Sequence, residues 1–143
     1  MAAETYREPF RHWNSESWIR SGAFHEGELS GAMFSPDLVP LATHPSITND
    51  ERKLDELLAY RLLTHLHFTS VLELEHVNVV CSELALGRAP IDLGVGQRND
   101  ALRIYCDEGG HALFVELLMR RVEERFGISR RVLGRPNFDL LLS

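Results

Sequence analysis

The sequence is short of cysteine, of long apolar runs and of clustered cations, and each shortage removes a class of protein. Only Cys81 and Cys106 occur in 143 residues, too few for a disulfide framework, and neither has a cysteine neighbour at metal-ligand spacing. The expectation is a reduced, cytoplasmic chain in which both thiols are buried among apolar groups. No stretch approaches the roughly 20 apolar residues of a membrane span. The first ten residues contain Glu4, Arg7 and Glu8 and no apolar run, so no secretory pattern is visible. With 15 Lys+Arg against 21 Asp+Glu the formal net charge is −6, and no block of Lys or Arg offers the cation cluster that nucleic acid or an anionic membrane surface requires. Neither is therefore expected as a partner.

What is present has an ordinary globular balance, 44% apolar and 25% charged, over a length that suits one domain with a sizeable core. Residues 1–47 scatter Trp13, Trp18, Phe24, Phe34, Pro36, Pro40 and Pro45 without a sustained period. They read as an irregular arm with one short helix near residues 14–21, its aromatic side chains packed on the rest of the chain. Thr48 and Glu51 have capping-box spacing, in which hydroxyl and carboxylate satisfy each other's orphan amides, so a helix is expected to start there. From Glu51 to about Leu86 there is neither Pro nor Gly. Leu54, Leu58, Leu62, Leu66, Thr69, Glu73, Val77, Val80 and Leu84 recur every three or four residues and make one helical stripe.

Gly87 suits a helix C-terminus, and a connection of about a dozen residues leads to Arg98. A second helix is expected from Asn99 or Asp100 to about Phe126, closed by Gly127. Its stripe takes in Leu102, Ile104, Tyr105, Glu108, His111, Ala112, Val115, Leu118 and Met119. The sequence therefore predicts an all-α chain, a long antiparallel helical hairpin over 48–127 with an irregular N-terminal arm over 1–47 and a tail over 128–143.

The chemistry concentrates on the two helices. Glu108-Gly-Gly-His111 is a Glu-x-x-His motif, and residues three apart share a helix face, so carboxylate and imidazole enter the same space. Glu73 lies in the middle of the facing stripe, and at 1.5 Å per residue the two glutamates differ by only about 6 Å in height in an antiparallel hairpin. Ferritin-like di-iron bundles are built from such parts: one Glu from each of two helices and a Glu-x-x-His from each of the other two. Glu73, Glu108 and His111 are thus the candidate metal ligands, with oxygen and nitrogen donors that suit iron, or manganese as the alternative. Glu73-Leu-Glu-His76 is itself a Glu-x-x-His, which keeps Glu75 and His76 as alternatives; Glu75 falls on nearly the opposite face, and an orienting role suits His76 better than ligation.

Gly109 and Gly110 cost helix stability. They leave room for substrate, dioxygen or a closely packed helix, or they are tolerated weak points, and the sequence leaves both readings open. His65 and His67, two apart, suit surface or core-edge positions. Arg120, Arg121, Arg125, Arg130 and Arg131 suit a solvated helix C-terminus.

The sequence resembles the p-aminobenzoate N-oxygenase family of di-iron oxygenases. The similarity runs over residues 34–126, through Phe34-Ser-Pro-Asp-Leu-Val-Pro-Leu-Ala-Thr-His-Pro45, Leu66-His-Phe-Thr, Leu72-Glu-Leu-Glu-His-Val-Asn-Val79 and Tyr105-Cys-Asp-Glu-Gly-Gly-His111. The resemblance implies a ferritin-like fold, half of a di-iron site on Glu73, Glu108 and His111, and oxidation of a small-molecule aryl amine by dioxygen and electrons. Members of that family continue into a second helix pair with another Glu and another Glu-x-x-His, which the sequence to Ser143 lacks. The resemblance therefore also implies that a homodimer or a second helical subunit completes a site of two irons. The alternatives are a non-catalytic metal-binding or interaction module and a truncated remnant of such an oxygenase.

Overall fold

The computed structural model describes residues 6–21 and 27–136, the side chain of Ser21 excepted; Phe24 and the apolar residues 138–142 lie outside the described residues. All regular structure among the described residues is helical. Short helices α1 (Trp13–Glu16), α2 (Trp18–Ser21) and α3 (Pro45–Thr48), with 3₁₀ turns at Pro36–Leu38 and Pro40–Thr43, punctuate the arm. Two long helical rods follow. The first comprises α4 (Glu51–Leu72), one π turn (Glu73–Val77) and α5 (Asn78–Ala85); the second is α6 (Val95–Phe126).

The ends of these rods are set by local chemistry that differs in part from the expected pattern. Thr48 closes α3 instead of capping the long helix. Pro45 fixes the backbone for a first turn, and the ring of His44 accepts the N–H of Ser46 at 3.2 Å, so a helical turn forms before the expected cap. Asp50 caps α4 in its place, its Oδ1 accepting the N–H of Lys53 at 3.2 Å. Gly87 ends α5 at φ +67°. The N–H groups of Gly87 and Arg88 reach the carbonyls of Leu84 and Glu83 at 3.1 and 2.9 Å, the paired bonds of a Schellman stop. Helix α6 begins at Val95 rather than Asn99 or Asp100, because Gln97 reaches back to accept the N–H of Gly94 at 2.9 Å, which satisfies a donor otherwise orphaned at the helix start.

The π turn is the larger departure. Its closing bond runs from the N–H of Asn78 to the carbonyl of Glu73, five residues instead of four, so the residues that follow are rotated out of α register. Asn78 and Cys81 are buried in consequence, whereas Val80, which the α period would have continued inward, is exposed.

The chain forms two compact units, one of residues 1–25 and 71–113, the other of 26–70 and 114–143. In the second, Ala59, Leu63 and Leu66 of α4 pack on Val115, Met119 and Val122 of α6, and Leu29, Met33, Ile128 and Leu133 close over them. Val39, Ala42 and Leu58 make a smaller cluster beside Phe34. Of the five arginines expected to be solvated, Arg120 and Arg131 are exposed, whereas the other three make contacts within this unit. Arg130 forks onto Glu116, with Nη1 at 2.6 Å, and lies 3.7 Å from Glu123. Arg121 and Arg125 donate to the carbonyls of Gly27 and Leu29. His65 is exposed beside the Phe34 ring and His67 is half-buried.

In the first unit the arm lies along one face of α6, at positions spaced three and four apart. The Tyr6 hydroxyl donates to buried Asp100 at 2.5 Å, and Arg103 joins Asp100 to Glu8. Trp13 Nε1 and Ser17 Oγ both donate to Asp107 at 2.8 Å. One turn further on, Ile19 occupies the space that a side chain at Gly110 would need. Leu102 and Tyr105, read as stripe residues, are exposed, and Ala101 is buried on the inner face in their place.

Candidate metal centre

Glu73 opens the π turn, and Glu108 and His111 stand one turn apart on α6. Each contributes one donor atom to a cluster in which all three lie within 4.8 Å of one another. The His111 Nδ1 is 3.2 Å from Glu108 Oε2 and 3.8 Å from Glu73 Oε1. Glu75 and His76 are exposed and stand outside this cluster. The matched heights inferred from residue counting thus correspond to a real convergence of the Glu73 and Glu108-x-x-His111 side chains.

Burial makes the cluster energetically demanding. The Glu73 side chain is only 12% exposed, and its Oε2 is buried with no hydrogen-bond partner. Burial pushes its carboxyl above the usual carboxylate range, the negative charge of Glu108 adds to that, and His111 opposes both. A buried carboxylate oxygen without a donor costs free energy unless a proton or a cation meets it. Two carboxylates and an imidazole are the donor chemistry that iron and manganese accept, and the residues present fit such an ion.

The imidazole has a second neighbour that sequence reading did not place. The ring of Trp18 stacks on it, although Trp18 keeps 42% exposure. The bonds from Trp13 and Ser17 to Asp107 hold the arm at the position that allows this stack. No sequence signal linked Trp18 to His111, which are ninety-three positions apart; only the abundance of aromatic residues in the arm indicated that it packs on something. Cys81 is buried, as expected, and Cys106 is exposed, contrary to expectation, next to exposed Tyr105 on α6.

No family model, curated protein or solved structure compared with this chain matches it. No helix is long and apolar enough to cross a membrane among the described residues.

Proposed function

We propose that the chain is a metal-dependent oxidoreductase in which Glu73, Glu108 and His111 hold iron, and that it activates dioxygen to oxidise an aryl amine or a similar small molecule. The observation that carries this reading is the convergence of three donors, one of them the buried Glu73 carboxylate, whose second oxygen has no partner. The resemblance of residues 34–126 to aryl-amine N-oxygenases supplies the reaction class. Iron, when bound, supplies the reversible change of oxidation state that reduction of dioxygen requires.

The chain's own residues do the rest. Burial disfavours the bare charge on Glu73, and a bound cation would compensate it. In the metal-free chain the His111 Nδ1 lies 3.2 Å from Glu108 Oε2, so the two ligands already face one another, and Trp18 covers one face of the imidazole.

A second copy supports completion of the site. Each copy offers two Glu and one His, so two copies supply four Glu and two His, the ligand set of a two-iron carboxylate bundle. A two-fold axis presents the same face from each. Exposed Leu102, Tyr105 and Leu113 on α6, with Leu74 and Val79 on the first rod, give such a contact apolar surface to cover.

Three measurements on one preparation test the proposal: iron per chain, mass by light scattering, and oxygen uptake coupled to amine oxidation. Glu108→Ala and His111→Ala are expected to lose most of the iron, Glu73→Ala to lose more than Glu75→Ala, and His67→Ala to keep the wild-type content. Equal iron in all variants removes the site, and a monomer that holds two irons removes the dimer. Iron binding without amine-dependent oxygen uptake leaves a metal-binding module instead of an enzyme.

A further inference from the structure

Among the described residues, two buried side-chain oxygens have no hydrogen-bond partner, Glu73 Oε2 and Asn78 Oδ1. They belong to the two ends of a single π turn, whose closing bond joins the Asn78 N–H to the Glu73 carbonyl. Asn78 is 6% exposed, so water outside the protein does not reach its amide. An unmet amide oxygen at that depth destabilises the fold, and a helix position that carried it for packing alone would be served as well by leucine.

The neighbours show which way this face looks. Glu73, one π turn before Asn78, meets His111 at 3.8 Å. Cys81, three residues after it, is buried as well. Glu73, Asn78 and Cys81 therefore follow one another along the buried face of this rod, the face on which Glu73 meets His111. Without the π turn, Val77 would hold this place and Asn78 would rotate away.

Both unpartnered atoms are acceptors, so neither satisfies the other. A single water that donates one hydrogen to each satisfies both at ordinary hydrogen-bond length, about 2.8 Å.

We propose that Asn78 is a positioning residue of the metal centre, its buried carbonyl oxygen and Glu73 Oε2 holding one water between them and so fixing the orientation of the Glu73 carboxylate. The inference rests on Glu73, Glu108 and His111 being a metal site and extends that site by one residue. It also gives the π turn a purpose, because the turn brings an amide rather than a valine beneath the ligand.

Manganese(II) titration of the full chain, read by calorimetry beside the thermal midpoint of the metal-free protein, tests the proposal. Asn78→Leu is expected to keep or raise the metal-free midpoint, since an apolar isostere removes an unmet polar group, while manganese affinity falls roughly 10–100-fold. Asn78→Asp, which keeps an acceptor oxygen, is expected to bind within a few-fold of wild type or tighter. Wild-type affinity in Asn78→Leu overturns the proposal, as does an Asn78→Asp variant as weak as the leucine one. Failure of Asn78→Leu to fold also overturns it, since the amide is then a structural requirement. Glu108→Ala separates the two levels: manganese bound by wild type and lost in Glu108→Ala, with an unchanged leucine variant, sinks this inference alone, whereas no binding by wild type sinks the site and the inference together.

Discussion

Trp18 stacks on His111 with ring centroids 5.9 Å apart and planes 10° from parallel. An indole so close to a candidate ligand should report on the ion that ligand holds. A paramagnetic metal such as manganese(II) or iron is expected to quench the tryptophan emission, with Trp18→Phe abolishing the greater part of the quenching and Trp13→Phe retaining it. Quenching carried by Trp13 instead would show that the ion binds away from His111.

The two adjacent glycines of the Glu-x-x-His motif should respond in opposite ways. A methyl group at Gly109 meets nothing within 4 Å, and Ala is the better helix former, so Gly109→Ala is expected to raise stability by about 0.5–1 kcal/mol. At Gly110 the same methyl would overlap Ile19. Gly110→Ala is expected to cost about 1–3 kcal/mol through overpacking or displacement of the arm, and Ile19→Ala in the same chain should recover part of the loss. Denaturant unfolding of the three variants decides the matter; equal effects at the two positions would show that Ile19 does not seat on α6.

These glycines mark where the sequence was legible and where it stopped. Periodicity and punctuation gave two long helices, the stops at Gly87 and Gly127, and the shared face of Glu108 and His111, because these depend on residues within a turn or two of one another. The two meanings of Gly109 and Gly110 stayed unresolved because Ile19 lies ninety-one positions from Gly110, and nothing local couples them. The π turn escaped because a fixed 3.6-residue period assigns Val77 and Val80 inward. Asn78 and Cys81 carry the burial, and a polar Asn in an inner position is a signal only when the period is allowed to slip. Arg121, Arg125 and Arg130 depart from the solvated expectation for a similar reason: Arg130 folds back from the turn after α6 onto Glu116 and Glu123, and the carbonyls of Gly27 and Leu29 that receive Arg121 and Arg125 come from the arm.

Asp107 is the arm's main polar anchor, since it accepts from both Trp13 and Ser17. Asp107→Ala removes two hydrogen bonds to a charged acceptor and strands the hydroxyl of buried Ser17. The expected loss is about 1.5–3 kcal/mol, together with a red shift of the Trp13 emission as its indole meets water. Asp107→Asn, which still accepts from one donor, should lie between. A variant with unchanged stability and unchanged emission would show that the arm is held by its apolar contacts alone.

Arg130 sets the acid sensitivity of the other unit. Its forked bond to Glu116 holds that carboxyl below the ordinary carboxylate range, against the opposing effect of burial. A depressed folded-state value means that the pairing stabilises the protein above the ordinary glutamate value and loses its contribution as the pH falls through the lower, folded one. Arg130→Met, which keeps much of the apolar stem, is expected to lower stability near neutral pH and to flatten the acid limb. Parallel acid limbs for variant and wild type would remove Glu116 as its source.

The metal-free protein should show the reverse sign at Glu73. Its carboxyl is raised, chiefly by burial and then by Glu108, with His111 opposing. The folded state therefore holds this proton more tightly than the unfolded chain does. Its contribution to stability is fully present below the ordinary glutamate value and is lost as the pH rises through the folded one. Ionisation of Glu73, with its Oε2 unpartnered, is therefore a growing cost to the metal-free fold as the pH rises. Glu73→Gln carries no charge to desolvate, so the metal-free variant is expected to melt higher than wild type at pH 7, with the gap closing as the pH is lowered towards the ordinary glutamate value. Metal reverses the order, since the ion binds the carboxylate of the folded protein and adds the binding free energy to its stability, whereas the glutamine variant gains little. Thermal midpoints of both proteins, with and without manganese at two pH values, give all four comparisons. A glutamine variant less stable than wild type in the absence of metal would mean that the Glu73 charge is already compensated within the chain, and the strongest physical reason to place a cation there would be gone.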